Sequence, residues 1–287
     1  MTFFSFLVLS LSACSQALQS EHIDDTHEST WQAKSEAYVD LKTDSILSSG
    51  KESILEFKVL DKNGNKENNL VVSHDKLFHV VIISEQFDSF SHIHPEDSEL
   101  TTEEMRKEGI FKTSHVFEKA GKHIIAVDYA TKEGHFAKQF IVDVEGIYDS
   151  SALPMDFSRE KIFEGYAVRF LYSPEVLKAG KDATLVYYIR KDGQPVNDIT
   201  PYLAAPMHIA IVKEDLSAFM HTHGEVHKNG AGMNQVGMQD THEIPQKFGP
   251  EIEAHLQFPE PGKYHVFGEF KHNEKVITTH FTVEVAE

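Results

Sequence analysis

One cysteine, Cys14, is all the thiol chemistry that 287 residues carry. No disulfide can close within the chain, even in an oxidising compartment, and no thiol nucleophile is on offer. A blue-copper centre, which needs Cys beside two His, is excluded, as is a cysteine-ligated iron–sulfur cluster. Basic residues are also scarce: 27 Lys and Arg face 45 Asp and Glu, a formal net charge of −18. Such a chain repels phosphate backbones, so no nucleic-acid partner is expected, and it attracts cations. A Gly-rich phosphate loop, a Gly-x-Ser-x-Gly elbow and a His-Glu-x-x-His motif are all missing, and the chain is expected not to be an enzyme. Long helical patterns are missing too; "ELTTEEMRKEG" is the best short candidate. What is abundant is histidine, with 18 copies. Imidazole is the commonest metal ligand and titrates near neutral pH.

The chain opens on "MTFFSFLVLSLSAC", an apolar run too short to span a bilayer as a helix and shaped like a secretory signal. Its end, Leu11-Ser12-Ala13-Cys14, resembles the bacterial lipobox. That resemblance implies cleavage before Cys14 and lipidation of its sulfur, with Ser15 directing the product to the outer membrane where there is one. Residues 1–14 are thus expected to be a lipoprotein signal peptide, and the acidic, weakly periodic stretch 15–48 a polar tether. Any further metal site has to use His, Met, carboxylate or backbone.

From Ser53 the pattern becomes β. "SILEFKVL" alternates and is followed by the Asn-Gly turn in "DKNGNK". "LFHVVIIS" is a continuous apolar run that reads as a strand buried on both faces. The second half repeats this order. "MHIAIVKEDLSAFMHTHGE" matches "FHVVIISEQFDSFSHIHPE" position for position, and "LQFPEPGKYHVFGEF" matches "VFEKAGKHIIAVDY". Between them the second copy carries an insertion, "VHKNGAGMNQVGMQDTHEIPQKFG", read as a loop. The expected fold is all-β: two tandem immunoglobulin-like or cupredoxin-like β-sandwich domains, at 49–146 and 163–287, joined by a linker at 147–162.

The repeat duplicates three histidines at one spacing. His92 and His94 share a strand face, as do His221 and His223. His79 and His208 each precede their pair by the same interval. A hairpin loop centred on Gln86 and Phe87 would set His79 opposite His94 and Val81 opposite His92. One centred on Asp215 and Leu216 would set His208 opposite His223. Cross-strand partners lie about 4.5–5.5 Å apart at Cβ, so three imidazoles would converge in each domain. An odd loop would instead turn the early histidine to the far face. Neutral imidazoles suit Cu(II), Zn(II), Ni(II) or Co(II). Met207, Met220, Met233 and Met238, with His227 and His242 beside the loop, are further candidate ligands. Their thioethers favour copper, zinc being the alternative. Met207 and Met220 read equally as core fillers, and His79 and His208 also as core histidines bonded to backbone carbonyls. Asp128 and Glu269 occupy equivalent positions, where exposed strand acids are the simpler reading and partners to ligand histidines the other.

The two histidine segments resemble those in tandem domains of bacterial exported proteins of the YtkA-like and FixH-like kind, some of which accompany copper-handling genes. "PYLAAPMHIAIVKEDLSAFMHTHGE" is the stretch that carries the likeness furthest. The resemblance implies a β-sandwich in a periplasmic or cell-surface setting, and His79, His92, His94, His208, His221 and His223 are the positions it carries over. The expectation is an envelope lipoprotein that binds a transition metal, copper first, for sequestration, delivery or sensing. Its partners would be the metal ion, the membrane through its lipid anchor, and an envelope metal transporter or efflux protein. The alternative is an immunoglobulin-like interaction lipoprotein without a physiological metal. The "HTHG" of the second copy against "HIHP" in the first separates the two domains.

Overall fold

The computed structural model describes residues 38–67, 69–148, 155–226 and 244–287. Alternation in the sequence becomes alternation in burial. In Glu52–Leu60 the side chains of Leu55, Phe57 and Val59 point inward, and in Asp182–Lys191 Leu185, Tyr187 and Ile189 do the same. A strand exposes one such set per face, and burying it requires a second sheet.

In the first domain a small sheet, ordered Tyr38–Thr43, Glu52–Leu60, Ile110–Val116, faces a larger one. The larger sheet runs Leu47–Ser48, Gly134–Glu145, Gly121–Thr131, Phe78–Ser84, Phe90–Ile93. The second domain repeats this larger sheet as Leu177–Lys178, Lys275–Ala286, Gly262–His272, His208–Lys213, Phe219–His223. Its other sheet runs Glu160–Phe163, Tyr166–Ser173, Asp182–Lys191, Glu251–Gln257, Glu225–Val226. Even the parallel edge is copied: Leu47 pairs with Val144 as Leu177 pairs with Val285. The chain is therefore two tandem β-sandwich domains, and its short helix, Glu103–Lys107, falls inside the expected stretch.

Two expected boundaries move. Tyr38–Thr43 and Leu47–Ser48, assigned above to the tether 15–48, are strands of the first sandwich, because Val39 and Leu47 are buried in its core. The apolar residues here, Val39, Leu41 and Leu47 among them, are interrupted by charged and polar ones, and the segments are too short to stand out as a pattern. Glu160–Phe163, all but its last residue assigned to the linker 147–162, pairs with Tyr166–Ser173 across a tight turn in which Glu164 and Gly165 both take positive φ. Cys14, with the signal and most of the tether, lies outside the described residues.

The two large sheets carry a second apolar face. Odd-numbered Val81 and Ile83 leave the first core and join Ile124, Ala126, Ala210, Val212 and Phe267 in a cluster between the domains. The even-numbered Val80 and Ile82 stay in the first sandwich. This explains the continuous apolar run in "FHVVIIS": all seven residues are buried, Phe78, Val80 and Ile82 in the sandwich and Val81 and Ile83 at the domain seam. Phe90 stacks on Phe267 across that seam, centroids 4.7 Å apart.

Candidate metal centre

Both hairpins have the register that brings the histidines together. Val81 pairs with His92 and Val80 with Ile93. In the second copy His208 pairs with His223 and Ala210 with His221. The loops close on Ser84 N–Ser89 O and Lys213 N–Ala218 O, and each tightens at one left-handed residue, Phe87 and Leu216. The even length of each loop keeps His79 and His208 on the same face as the pairs that follow them.

That face is the seam, so the two triplets meet each other rather than occupying separate patches. His79 lies 5.3 Å from His221 by ring centroid, and His92 lies 5.2 Å from His208. The arrangement is nearly two-fold. His79 Nδ1 faces His92 Nε2 at 3.4 Å, and His208 Nδ1 faces His221 Nε2 at 3.4 Å. Two groups bring potential ligand atoms within 4.8 Å of one another: His79, His92 and His221, and His208, His221 and His223. These are histidine groups that could hold a metal.

The outward nitrogens are already committed, which fixes the inward ones as acceptors. His79 Nε2 meets Ser73 O at 3.1 Å and His208 Nε2 meets Tyr202 O at 3.1 Å. A carbonyl only accepts, so Nε2 carries the hydrogen and Nδ1 presents a lone pair. His92 Nδ1 donates to Glu269 Oε2 at 2.8 Å, and His221 Nδ1 donates to Asp128 Oδ1 at 2.9 Å. Each of these bonds crosses from one domain to the other. Asp128 and Glu269 are thus buried partners of ligand-type histidines, at 6% and 7% exposure, and the reading of exposed acids is corrected. The even-numbered residues of Gly121–Thr131 and the odd-numbered ones of Gly262–His272 look solvent-facing only while the other domain is ignored.

Electrostatics favour neutral rings. Burial pushes His79 down to about 3, with Asp128 opposing and His221 and His92 adding to the shift. Burial likewise takes His94 to about 2 and holds His208 and His223 well below the ordinary imidazole value. Burial alone would raise Asp128, but His221, His79 and His92 around it together outweigh burial and hold the carboxyl below its usual range. Neutral imidazoles need lose no proton to bind a cation at neutral pH.

The third histidine of each copy flanks the centre. His94 has its ring 5.0 Å from His79 and 4.6 Å from His92, and its buried Nε2 has no hydrogen-bond partner among the described residues. His223 lies 4.7 Å from His208 and stacks on His74 of the first domain at 3.4 Å. His74 went unnoticed in the sequence: it sits in a left-handed turn whose counterpart in the second copy is Leu203, so the repeat does not point to it. Met207 and Met220 are in the core of the second sandwich, not at the centre. They precede His208 and His221 by one residue, and side chains one apart on a strand face opposite ways. His227, Met233, Met238 and His242 lie outside the described residues. At the far end of the seam His265 Nδ1 lies 2.8 Å from His280 Nε2, and Phe87 stacks on His265.

A family described as a domain of unknown function (DUF8832) matches residues 32–146 and again 160–287. No curated protein matches. Similar solved structures are distant. A trypsin-activated α2-macroglobulin from Escherichia coli is 12% identical at a TM-score of 0.26, covering 88% of this chain and 16% of its own. Invasin, a bacterial integrin-binding protein, is 9% identical at 0.23, covering 85% and 39%. FdeC, an Escherichia coli adhesin, is 9% identical at 0.24, covering 88% and 64%. The chain spans less than two thirds of each of these proteins, and TM-scores this low say nothing of its function.

Proposed function

We propose that this chain, which belongs to the DUF8832 family through both of its halves, is an envelope lipoprotein that holds a transition-metal ion at the seam of its two sandwiches. The observation that carries this reading is the pair of buried histidine groups with ligand atoms within 4.8 Å. Burial that keeps His79, His208 and His223 in the neutral form, the committed outward nitrogens and the net charge of −18 all favour a cation there. The lipobox-like Leu11–Cys14 and the likeness to YtkA-like and FixH-like exported domains support the envelope setting. Sequestration, delivery or sensing of the ion, with hand-over to an envelope transporter or efflux protein, fits such a setting better than catalysis.

Copper stands first in the affinity order for imidazole donors, and the family resemblance implies it. One observation favours zinc as the second reading: Met207 and Met220, the soft donors that would select Cu(I), lie in the core. The test is to strip the full chain with chelator, titrate it with Cu(II) and with Zn(II), desalt, and count metal by mass spectrometry. Retention of an ion, and its loss in the His92→Ala/His221→Ala double variant, are the expected results. A chain that retains neither ion overturns the reading.

A further inference from the structure

The ring centroids of His79, His92, His208 and His221 stand at the corners of a rough tetrahedron, and His221 belongs to both groups whose ligand atoms lie within 4.8 Å. Their six centroid separations are 5.7, 6.1, 5.3, 5.2, 5.1 and 5.6 Å. With metal–nitrogen bonds of about 2.05 Å and a centroid about 1.1 Å beyond each nitrogen, four tetrahedral imidazoles have centroids about 5.2 Å apart. A square would divide the six separations into four of about 4.5 Å and two of about 6.4 Å. No such division is present. The nitrogen contacts agree, at 3.4 Å within each domain, against about 3.3 Å for tetrahedral neighbours and about 2.9 Å for cis neighbours in a square.

Resting on the metal-binding reading above, we infer that the chain holds a single divalent ion in this shared four-imidazole site, two ligands coming from each domain. The charge supports a divalent ion. Asp128 and Glu269, one from each domain, each accept a hydrogen bond from a ligand ring, and together they offset two positive charges in a buried setting. The class of ion is the one that takes four nitrogens tetrahedrally, Zn(II) or Co(II), rather than Cu(II) with its tetragonal preference. Four protein ligands leave no open position for water or substrate, so the site is closed. Neither domain supplies more than half of it, and the bound ion ties the domains together.

Titration of the chelator-stripped full chain with Co(II) tests this. One Co(II) per chain is expected, with the intense visible bands of tetrahedral cobalt, displaced by one Zn(II). His79→Ala in one domain and His208→Ala in the other are each expected to weaken that one site at least tenfold and change its bands. His265→Gln, at the far end of the seam, is expected to leave both unaltered. Where an alanine variant loses its far-ultraviolet circular dichroism, His79→Gln and His208→Gln replace it. Two ions per chain, with each domain's variant costing only one of them, overturn the shared site and leave the metal-binding reading standing. A six-coordinate cobalt spectrum also overturns the shared site. A chain that takes up no ion overturns both.

Discussion

His92 and His221 owe their orientation to residues more than ninety positions away. Each donates Nδ1–H to a carboxylate of the opposite domain, and this leaves Nε2 aimed at the centre. Carboxylates in this role raise ligand basicity and hold the ring, and removing one costs about 10–100-fold in metal affinity. Asp128→Asn and Glu269→Gln are therefore expected to weaken Zn(II) binding by about that factor, measured by competition with a chromophoric chelator. Equal effects from both variants would reflect the two-fold geometry; no effect from either would remove the carboxylates from the site. At this scale the sequence was only half legible. The equivalence of Asp128 and Glu269 could be read from the repeat, but their burial could not, because what buries them is the other domain. His74 left no trace at all, since Leu203 stands in its place in the second copy.

Strands and hairpins are where the pattern of residues spoke most plainly. The pairing of Val81 with His92 and of His208 with His223 follows from loop length and a period of two, both of which can be counted along the chain. The same period places Met207 and Met220 in the core: residues adjacent to ligand-type histidines in sequence are the ones that cannot share their face. Gly224 marks the point where the two hairpins part company, in "HTHG" against "HIHP". A Cβ at Gly224 would lie 2.5 Å from Ile252 Cγ2 and 3.0 Å from Met207 Cβ, inside the packed second sandwich. Gly224→Ala is expected to destabilise the second domain by about 1–3 kcal/mol through overpacking, seen as a lower midpoint in urea unfolding. An unchanged midpoint would mean that Ile252 yields without cost. The misplaced tether and linker boundaries are failures at the same scale: in Tyr38–Thr43 and Glu160–Phe163 the alternation is too short to be read by itself, and pairing with neighbouring strands fixes it.

The whole molecule keeps many of its histidines neutral by burying them, and this has a cost in acid. Away from the candidate ligands, burial and the neighbouring His280 take His265 down to about 3. Burial and Lys161 take His280 to about 4, and burial takes His115 to about 4. In the unfolded chain these rings titrate near 6.5, so between that value and the folded ones the unfolded state binds more protons. Stability is then complete above about pH 6.5 and falls as the pH drops toward 4. The chelator-stripped protein is expected to show a thermal midpoint that declines steadily from pH 7 to pH 4.5, with uptake of more than one proton on unfolding. A flat profile would show that these rings are protonated without unfolding the chain.

Fold class, repeat and hairpin register were written in the linear sequence because each depends on local counting: alternation of apolar residues, the length of a turn, the recurrence of a spacing. The histidine triplets could be found for the same reason. What only the tertiary structure decided is which surfaces meet. Val81, Ile83, Ala210 and Val212 read as core, yet they cover the seam between domains, and a run buried on both faces does not reveal what covers the second one. Once the two large sheets pack against each other, the triplets become neighbours and their carboxylate partners come from across the interface. Contacts between distant segments depend on complementary faces docking in three dimensions, and no spacing along one chain encodes the distance between them.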